Sequence, residues 1–376
     1  MDFSLTEEQQ AIFEMSQGVF NDCCTDEYLR EVDDSNITIM DTLWQTCIET
    51  GLHALYLPEE YGGSELGMTE LALVLQAQGA ALGLVPLWRH QLAGACLAKF
   101  ATADLHPVVR AAASADNILT LSMPKLSKHS ALVKATPNKE NNGYLLSGKL
   151  SAVADAAIAS HVLMPIEIAN KVGFALVQLD AVNIERIDGV LTQGEQVSDL
   201  VFNQCPVFGH QLLADGASEW LTPRVLAAFS AMQLGVSEEQ LKRTVEYICE
   251  RRQFDRQIGA FQAVQMTMAD CRIALEVLRS TLLQLCYRID AGLGCDSEAL
   301  ACALHACDAG HLIGHKAQHV HGGFGVDISY PIHRYLYWSR AISLGLGGSQ
   351  AITERLGDWL AENDKLGWKY DLNENN

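Results

Sequence analysis

Apolar positions recur three and four apart over long stretches at both ends of the chain, and alternate over short runs in the middle. At the start, Ile12, Phe13, Met15, Val19 and Phe20 fall at helical spacing after Leu5-Thr6-Glu7-Glu8, where Thr6 can cap and the carboxylates favour the first turn. Helical pattern predicts further elements over 37–51, 69–81 and 92–100, separated by a loop at Leu57-Pro58-Glu59-Glu60-Tyr61-Gly62-Gly63. From residue 118 the period shortens. Runs at 118–123, 131–136, 144–150, 161–166, 174–179, 183–187, 197–202 and 207–212, punctuated by turn residues such as Asn141-Asn142-Gly143, predict a small antiparallel barrel or sandwich. Long helical patterns return over 222–249, 262–292 and 297–315, long enough to bury one another as a bundle. The predicted fold is mainly α with a central small β domain: helical domain 1–117, β-barrel 118–215 and four-helix bundle 216–376. The tail after Trp368 is polar and is expected to fray.

Composition narrows the function classes. The chain has 376 residues, 49% of them hydrophobic and 19% charged, which is globular composition. Its net charge of −20 argues against nucleic acid and anionic membrane surfaces, though a local basic site can still hold an anionic small molecule. The N-terminal segment lacks the basic and apolar regions of a signal peptide, and no uncharged apolar stretch reaches the ~18–20 residues of a membrane span. Eleven cysteines without a C-x-x-C pair read as buried thiols of a reducing cytoplasm, and no zinc spacing is present.

Two segments carry candidate chemistry. Tyr247-Ile248-Cys249-Glu250-Arg251-Arg252-Gln253-Phe254-Asp255-Arg256-Gln257-Ile258-Gly259 ends a long helix and concentrates three arginines with an aromatic ring. Guanidinium groups grip phosphates and an aromatic face can stack on a base; equally, basic residues gather at helix C-termini for the dipole alone. Gln318-His319-Val320-His321-Gly322-Gly323-Phe324-Gly325 is a glycine-rich turn after a helix. It can bring backbone close to a ligand or simply end the helix. It lacks the spacing and the preceding strand of a dinucleotide-binding fingerprint.

Taken in order, five stretches resemble the acyl-CoA dehydrogenases over nearly the whole length. They are Met1-Asp2-Phe3 with Thr6-Glu7-Glu8-Gln9, Pro58-Glu59-Glu60-Tyr61-Gly62-Gly63, Arg251 and Phe254 with Ile258-Gly259 and Phe261-Gln262, His321-Gly322-Gly323-Phe324-Gly325, and Tyr330-Pro331-Ile332-His333-Arg334. The resemblance implies FAD, a Glu that removes the α-proton of an acyl-CoA, and hydride transfer to flavin.

The departures matter as much. The loop that carries the usual Glu reads Leu344-Gly345-Leu346-Gly347-Gly348-Ser349-Gln350, with Gly347, or Leu346 after a one-residue shift, at the Glu position. An alternative base position falls at Thr222, which is not acidic; Glu219 nearby reads as a solvated helix start. The loop expected to hold the flavin ring reads Leu121-Ser122-Met123-Pro124-Lys125-Leu126-Ser127-Lys128, and Ser151-Ala152-Val153 replaces a Trp-Ile-Thr-like strand that covers it. By resemblance, the residues that reach FAD on a neighbouring subunit are kept: Arg251, Phe254, Gln262, Gly322 and Gly323, with His319 in place of a Gln and Asp255 in place of a Gly. The implied protein is the non-catalytic subunit of a heteromeric α2β2 acyl-CoA dehydrogenase of the steroid type, completing the FAD site of a homologous catalytic partner. A homodimer is the fallback state when it is alone. The alternatives are a self-sufficient homomeric FAD enzyme with an unrecognised base, and a flavin-free scaffold on the same fold.

Overall fold

A computed structural model describes residues 4–33, 35, 37, 39–123, 132–138 and 143–363. Among them the chain forms α1 (Glu7–Cys23), α2 (Asp26–Asp33), α3 (Asp41–Glu49), α4 (Met68–Ala81), α5 (Leu87–Phe100) and α6 (His106–Ala113). Seven strands follow: β1 (Leu119–Leu121), β2 (Val133–Asn138), β3 (Gly143–Ala154), β4 (His161–Ile168), β5 (Lys171–Gln178), β6 (Ile184–Val190) and β7 (Gln196–Val207). Then come α7 (Ala217–Glu250), the small hairpin β8 (Arg252–Gln253) and β9 (Arg256–Gln257), α8 (Gln262–Asp290), α9 (Asp296–His321), α10 (Ile332–Gly345) and α11 (Gly348–Glu362). None of these helices is long and apolar enough to cross a membrane. The polar tail after Trp368 lies outside the described residues.

Two compact units partition the chain, one comprising 1–34, 68–83 and 226–376, the other 35–67 and 84–225. In the first, α4 is apolar nearly all round and buried along most of its length. Asp290 caps its start, accepting from the Met68 and Thr69 N–H groups at 2.6 and 3.0 Å. Gly79 of α4 and Gly235 of α7 leave no room for a Cβ against the backbones of Met232 and Gln76, so the two helices touch main chain to main chain. Arg243 anchors α2 through Asp26, and Arg334 does so through Asp33.

In the second unit, the sheet runs β1-β4-β2-β3-β7-β6, with β5 on the other edge of β4. The sheet curls as a half-barrel, and the expected all-antiparallel pairing is corrected: β4 pairs in parallel with both β1 and β2. Parallel pairing joins segments remote in sequence, which alternation cannot reveal. Side chains such as Val133, Leu146, Val153, Met164, Leu200 and Phe202 fill the core of this curled sheet. The expected strand at 207–212 is also corrected: β7 runs on to Val207, and Gly209–Gln211 is a short 3-10 turn. Arg89 of α5 reaches Asp155 at 3.2 Å and Glu195 at 2.8 Å, clamping the turns after β3 and before β7.

Candidate functional site

The glycine turn and the arginine segment meet at the end of the bundle. Helix α7 stops at Glu250 because the chain turns into the β8–β9 hairpin, whose central residues Phe254 and Asp255 both have left-handed backbone (φ 52° and 64°). That conformation suits Gly and costs other residues on the order of 1–3 kcal/mol. The family resemblance expects a Gly where Asp255 stands. Arg252 donates to the Asp255 carbonyl at 2.9 Å and so closes the hairpin on itself. Phe254 is 86% exposed at the tip, held only edge-on by Phe261 at 6.2 Å, while the Arg256 guanidinium covers Phe261 at 3.9 Å. Gln262, the first residue of α8, is exposed.

Arg251 faces the glycine turn. Its N–H donates to the Tyr247 carbonyl, its own carbonyl accepts from Ile258, and its guanidinium lies over the Phe324 ring, 5.8 Å from the centroid. Helix α9 ends at His321, and Gly322 takes φ 59°, ψ −129°, a conformation that glycine alone adopts readily. A Cβ added at Gly322 or Gly323 would meet nothing within 4 Å, so this backbone is open to an incoming group. His319 is exposed on the last turn of α9. His321 is buried instead. Its Nδ1 bonds the Ala317 carbonyl at 2.9 Å, its ring stacks on Tyr247 at 4.3 Å, and burial holds its pKa below the usual value. The structure thus brings Arg251 against Phe324 of the glycine turn, and the Gly322 N–H donates to the Gln318 and His319 carbonyls at the end of α9. Phe254 lies at the hairpin tip against Phe261, and Gln262 opens α8 next to that ring. Phe324, Tyr247 and His321, which carry the join, drew no role in the sequence, because an aromatic beside a glycine turn reads as packing.

The base positions hold no carboxylate. Gly347 and Gly348 have φ of 88° and 80°, Leu346 is fully buried, and Leu344 is exposed. Asp308 of α9 reaches this loop, accepting from the Ser349 hydroxyl at 3.0 Å; it comes from 41 residues away, and no motif marks it. Thr222 sits in the second turn of α7 rather than at its start, correcting the expected boundary, and its hydroxyl donates back to the Ser218 carbonyl at 2.8 Å. Glu219 is exposed in the first turn.

In the other unit, the register of β3 shifts between Leu150 and Val153. Ala152 takes φ 55° and donates to Asp199 at 2.9 Å, while Val153 turns into the sheet core. The segment therefore presents small side chains where the resemblance expects an aromatic wall. Residues 124–128 of the expected flavin loop lie outside the described residues. Among the described residues, no group of three or more His, Cys, Asp or Glu is placed to hold a metal ion.

Comparison with known proteins decides the family. The acyl-CoA dehydrogenase N-terminal domain matches residues 6–107 and the acyl-CoA dehydrogenase C-terminal domain matches 226–361. Over 374 residues the chain is 32% identical to acyl-CoA dehydrogenase FadE27 of Mycobacterium tuberculosis, covering 96% of this chain and 99% of that one. The chain belongs to the acyl-CoA dehydrogenase family. Among solved structures of the family, it is similar to a chain of the ChsE4-ChsE5 complex from Mycobacterium tuberculosis, with a TM-score of 0.91 and 32% identity over 97% of this chain and 100% of that one. It is likewise similar to a chain of a Tcur3481-Tcur3483 steroid ACAD variant, with a TM-score of 0.89 and 33% identity over 95% and 98%. The segment 344–350, where the family resemblance expects the base, carries no acidic residue.

Proposed function

We propose that the chain is the flavin-completing, non-catalytic subunit of a heteromeric acyl-CoA dehydrogenase that desaturates a bulky CoA thioester, possessing half of a cofactor site and no base. The observation that carries this reading is a contrast within one chain. The exposed Arg251 and the open Gly322–Gly323 backbone form a surface fit for a phosphate and a nucleoside, while 341–352 contains no acidic residue and β3 offers only Ser151, Ala152 and Val153 where a flavin ring would need a wall. Two similar chains are described as parts of two-component complexes, one of them a steroid ACAD, which supports a homologous catalytic partner and a steroid-like acyl group.

The residues fit the adenosine-diphosphate half of FAD. In this reading Arg251 grips the pyrophosphate, Phe254 packs against the cofactor, Gly322 and Gly323 let backbone approach the adenosine, and Gln262 and His319 border the surface. When bound, FAD would supply the hydride acceptor, and the base for the α-proton would come from the partner. The contribution of this chain is to bind, orient and cover.

The test is to co-produce the chain with acyl-CoA dehydrogenases of the same organism and to record flavin absorbance and acyl-CoA-dependent dye reduction. The reading expects a colourless, inactive chain alone and a yellow, active complex with one partner. A yellow chain that reduces dye by itself would establish the self-sufficient enzyme instead. Flavin missing from every complex would leave the scaffold.

A further inference from the structure

An exposed arginine that must grip a pyrophosphate has a conformational problem. Its long side chain has many rotamers to lose on binding unless something holds the guanidinium beforehand. In this chain the root of Arg251 is fixed by two backbone bonds, to Tyr247 at 2.8 Å and from Ile258 at 2.9 Å. What fixes the tip is the Phe324 ring, 5.8 Å from the guanidinium carbon. That ring is itself aimed. It stands edge-on to Tyr247 (6.4 Å, 62°) and to Tyr330 (6.0 Å, 60°), and Tyr247 is stacked on the buried His321 (4.3 Å, 23°). A cation held over an aromatic face keeps its N–H donors free, since the attraction is to the ring quadrupole rather than to an acceptor.

Resting on the flavin-completing reading, we propose that Phe324 is a positioning residue for Arg251, a half-exposed platform built at the glycine turn that holds the guanidinium ready for the pyrophosphate. The turn then does two things at once: its glycines open the backbone, and its aromatic residue aims a side chain that follows the end of α7. Phe324 is 46% exposed, so it is not needed to fill a core.

The experiment is a double-mutant cycle on the heterocomplex, stripped of flavin and titrated with FAD by fluorescence. Phe324→Leu should raise the Kd for FAD about two- to fivefold, the size of a surface cation–π contact. Phe324→Tyr, which keeps the ring, should stay near wild type. Arg251→Ala should weaken binding about tenfold or more, the size of a charge-assisted contact. The decisive variant is the pair Arg251→Ala with Phe324→Leu: a platform that acts only through Arg251 predicts no loss beyond Arg251→Ala alone. Full affinity in Phe324→Leu, or the same fold-loss from it with and without Arg251, would overturn the positioning role while leaving the flavin-completing reading in place. Full affinity in Arg251→Ala would overturn both.

Discussion

His90 shows how much a single buried side chain can decide. Its Nδ1 accepts from the Leu119 N–H at 3.1 Å, so its Nε2 must donate to the Ala112 carbonyl, also at 3.1 Å; only the neutral ring makes both bonds. His53 reaches the next carbonyl, Ala113, at 2.9 Å, and Trp44 stands edge-on to both rings. Burial, reinforced by His53, pushes the pKa of His90 down to about 4 from its ordinary 6.5. A histidine lowered in this way leaves stability untouched above pH 6.5 and removes it as pH falls from there toward 4, because the unfolded chain takes up the proton first. Between pH 7 and 5 the loss from this group amounts to about 2 kcal/mol. Asp155, raised to about 6 mainly by burial, works in the opposite sense over an overlapping range. The clean measurement is therefore urea unfolding at several pH values in wild type and in His90→Gln, where the variant should show the weaker acid destabilisation. Equal slopes would contradict the neutral-imidazole account. Gly347 makes a second residue-scale case. At φ 88° a side chain costs roughly 1–2 kcal/mol, so Gly347→Glu should lower the melting temperature and confer no dehydrogenase activity on the isolated chain. Activity gained by that single change would show that only the base was missing.

At the scale of elements, local chemistry was legible and long-range pairing was not. Thr6 does cap α1, in a reciprocal box with Gln9, and the periodic stretch at 69–81 is α4 within a residue. The helix expected over 37–51 runs only from Asp41 to Glu49, with Gly51 in left-handed backbone (φ 76°) just beyond it, and the sequence pattern does not predict the short α2 and α6. Two turns of helix give too few repeats for a period to show, although Pro107 in the first turn of α6 was an available start signal. The pattern over 222–249 starts late: α7 begins at Ala217 and carries Pro223 inside it. The glycine turn and the arginine segment were legible as motifs. Their union through Phe324 and Tyr247 was not, since it joins residues about 75 apart on different helices. One feature of α7 runs against packing rules. The amide of Gln240 is fully buried, and neither its nitrogen nor its oxygen finds a partner among the described residues. Gln240→Met keeps the shape and removes both orphan groups, so it should raise stability by about 1 kcal/mol in thermal or urea unfolding. A loss of more than that would mean the amide has a partner.

At the scale of the whole molecule, the chain carries more exposed apolar surface than its own bundle uses. Met266, Ile273 and Val277 are exposed along the outer face of α8, and Val326 and Ile328 follow the glycine turn. Leaving such a stripe in water is unfavourable, and obligate interfaces typically bury more than ~2,000 Å². The chain should therefore sediment as a dimer or larger at micromolar concentration, alone or with its partner; a monomer in both cases would contradict an in-trans site. Acidic residues outnumber basic ones to a net charge of −20, so the arginines at 251, 252 and 256 form a local concentration of positive charge on an acidic chain. The central claim is that this chain completes a flavin site it cannot form by itself. The most direct measurement is the ratio of bound FAD to protein, by absorbance, for the chain alone and for its purified complex with a catalytic homologue carrying wild-type or Arg251→Ala protein. The account predicts essentially no flavin on the isolated chain, a filled site in the wild-type complex, and about tenfold weaker retention at limiting FAD with Arg251→Ala. Flavin bound equally well by the isolated chain, or retained undiminished by the Arg251→Ala complex, would contradict it.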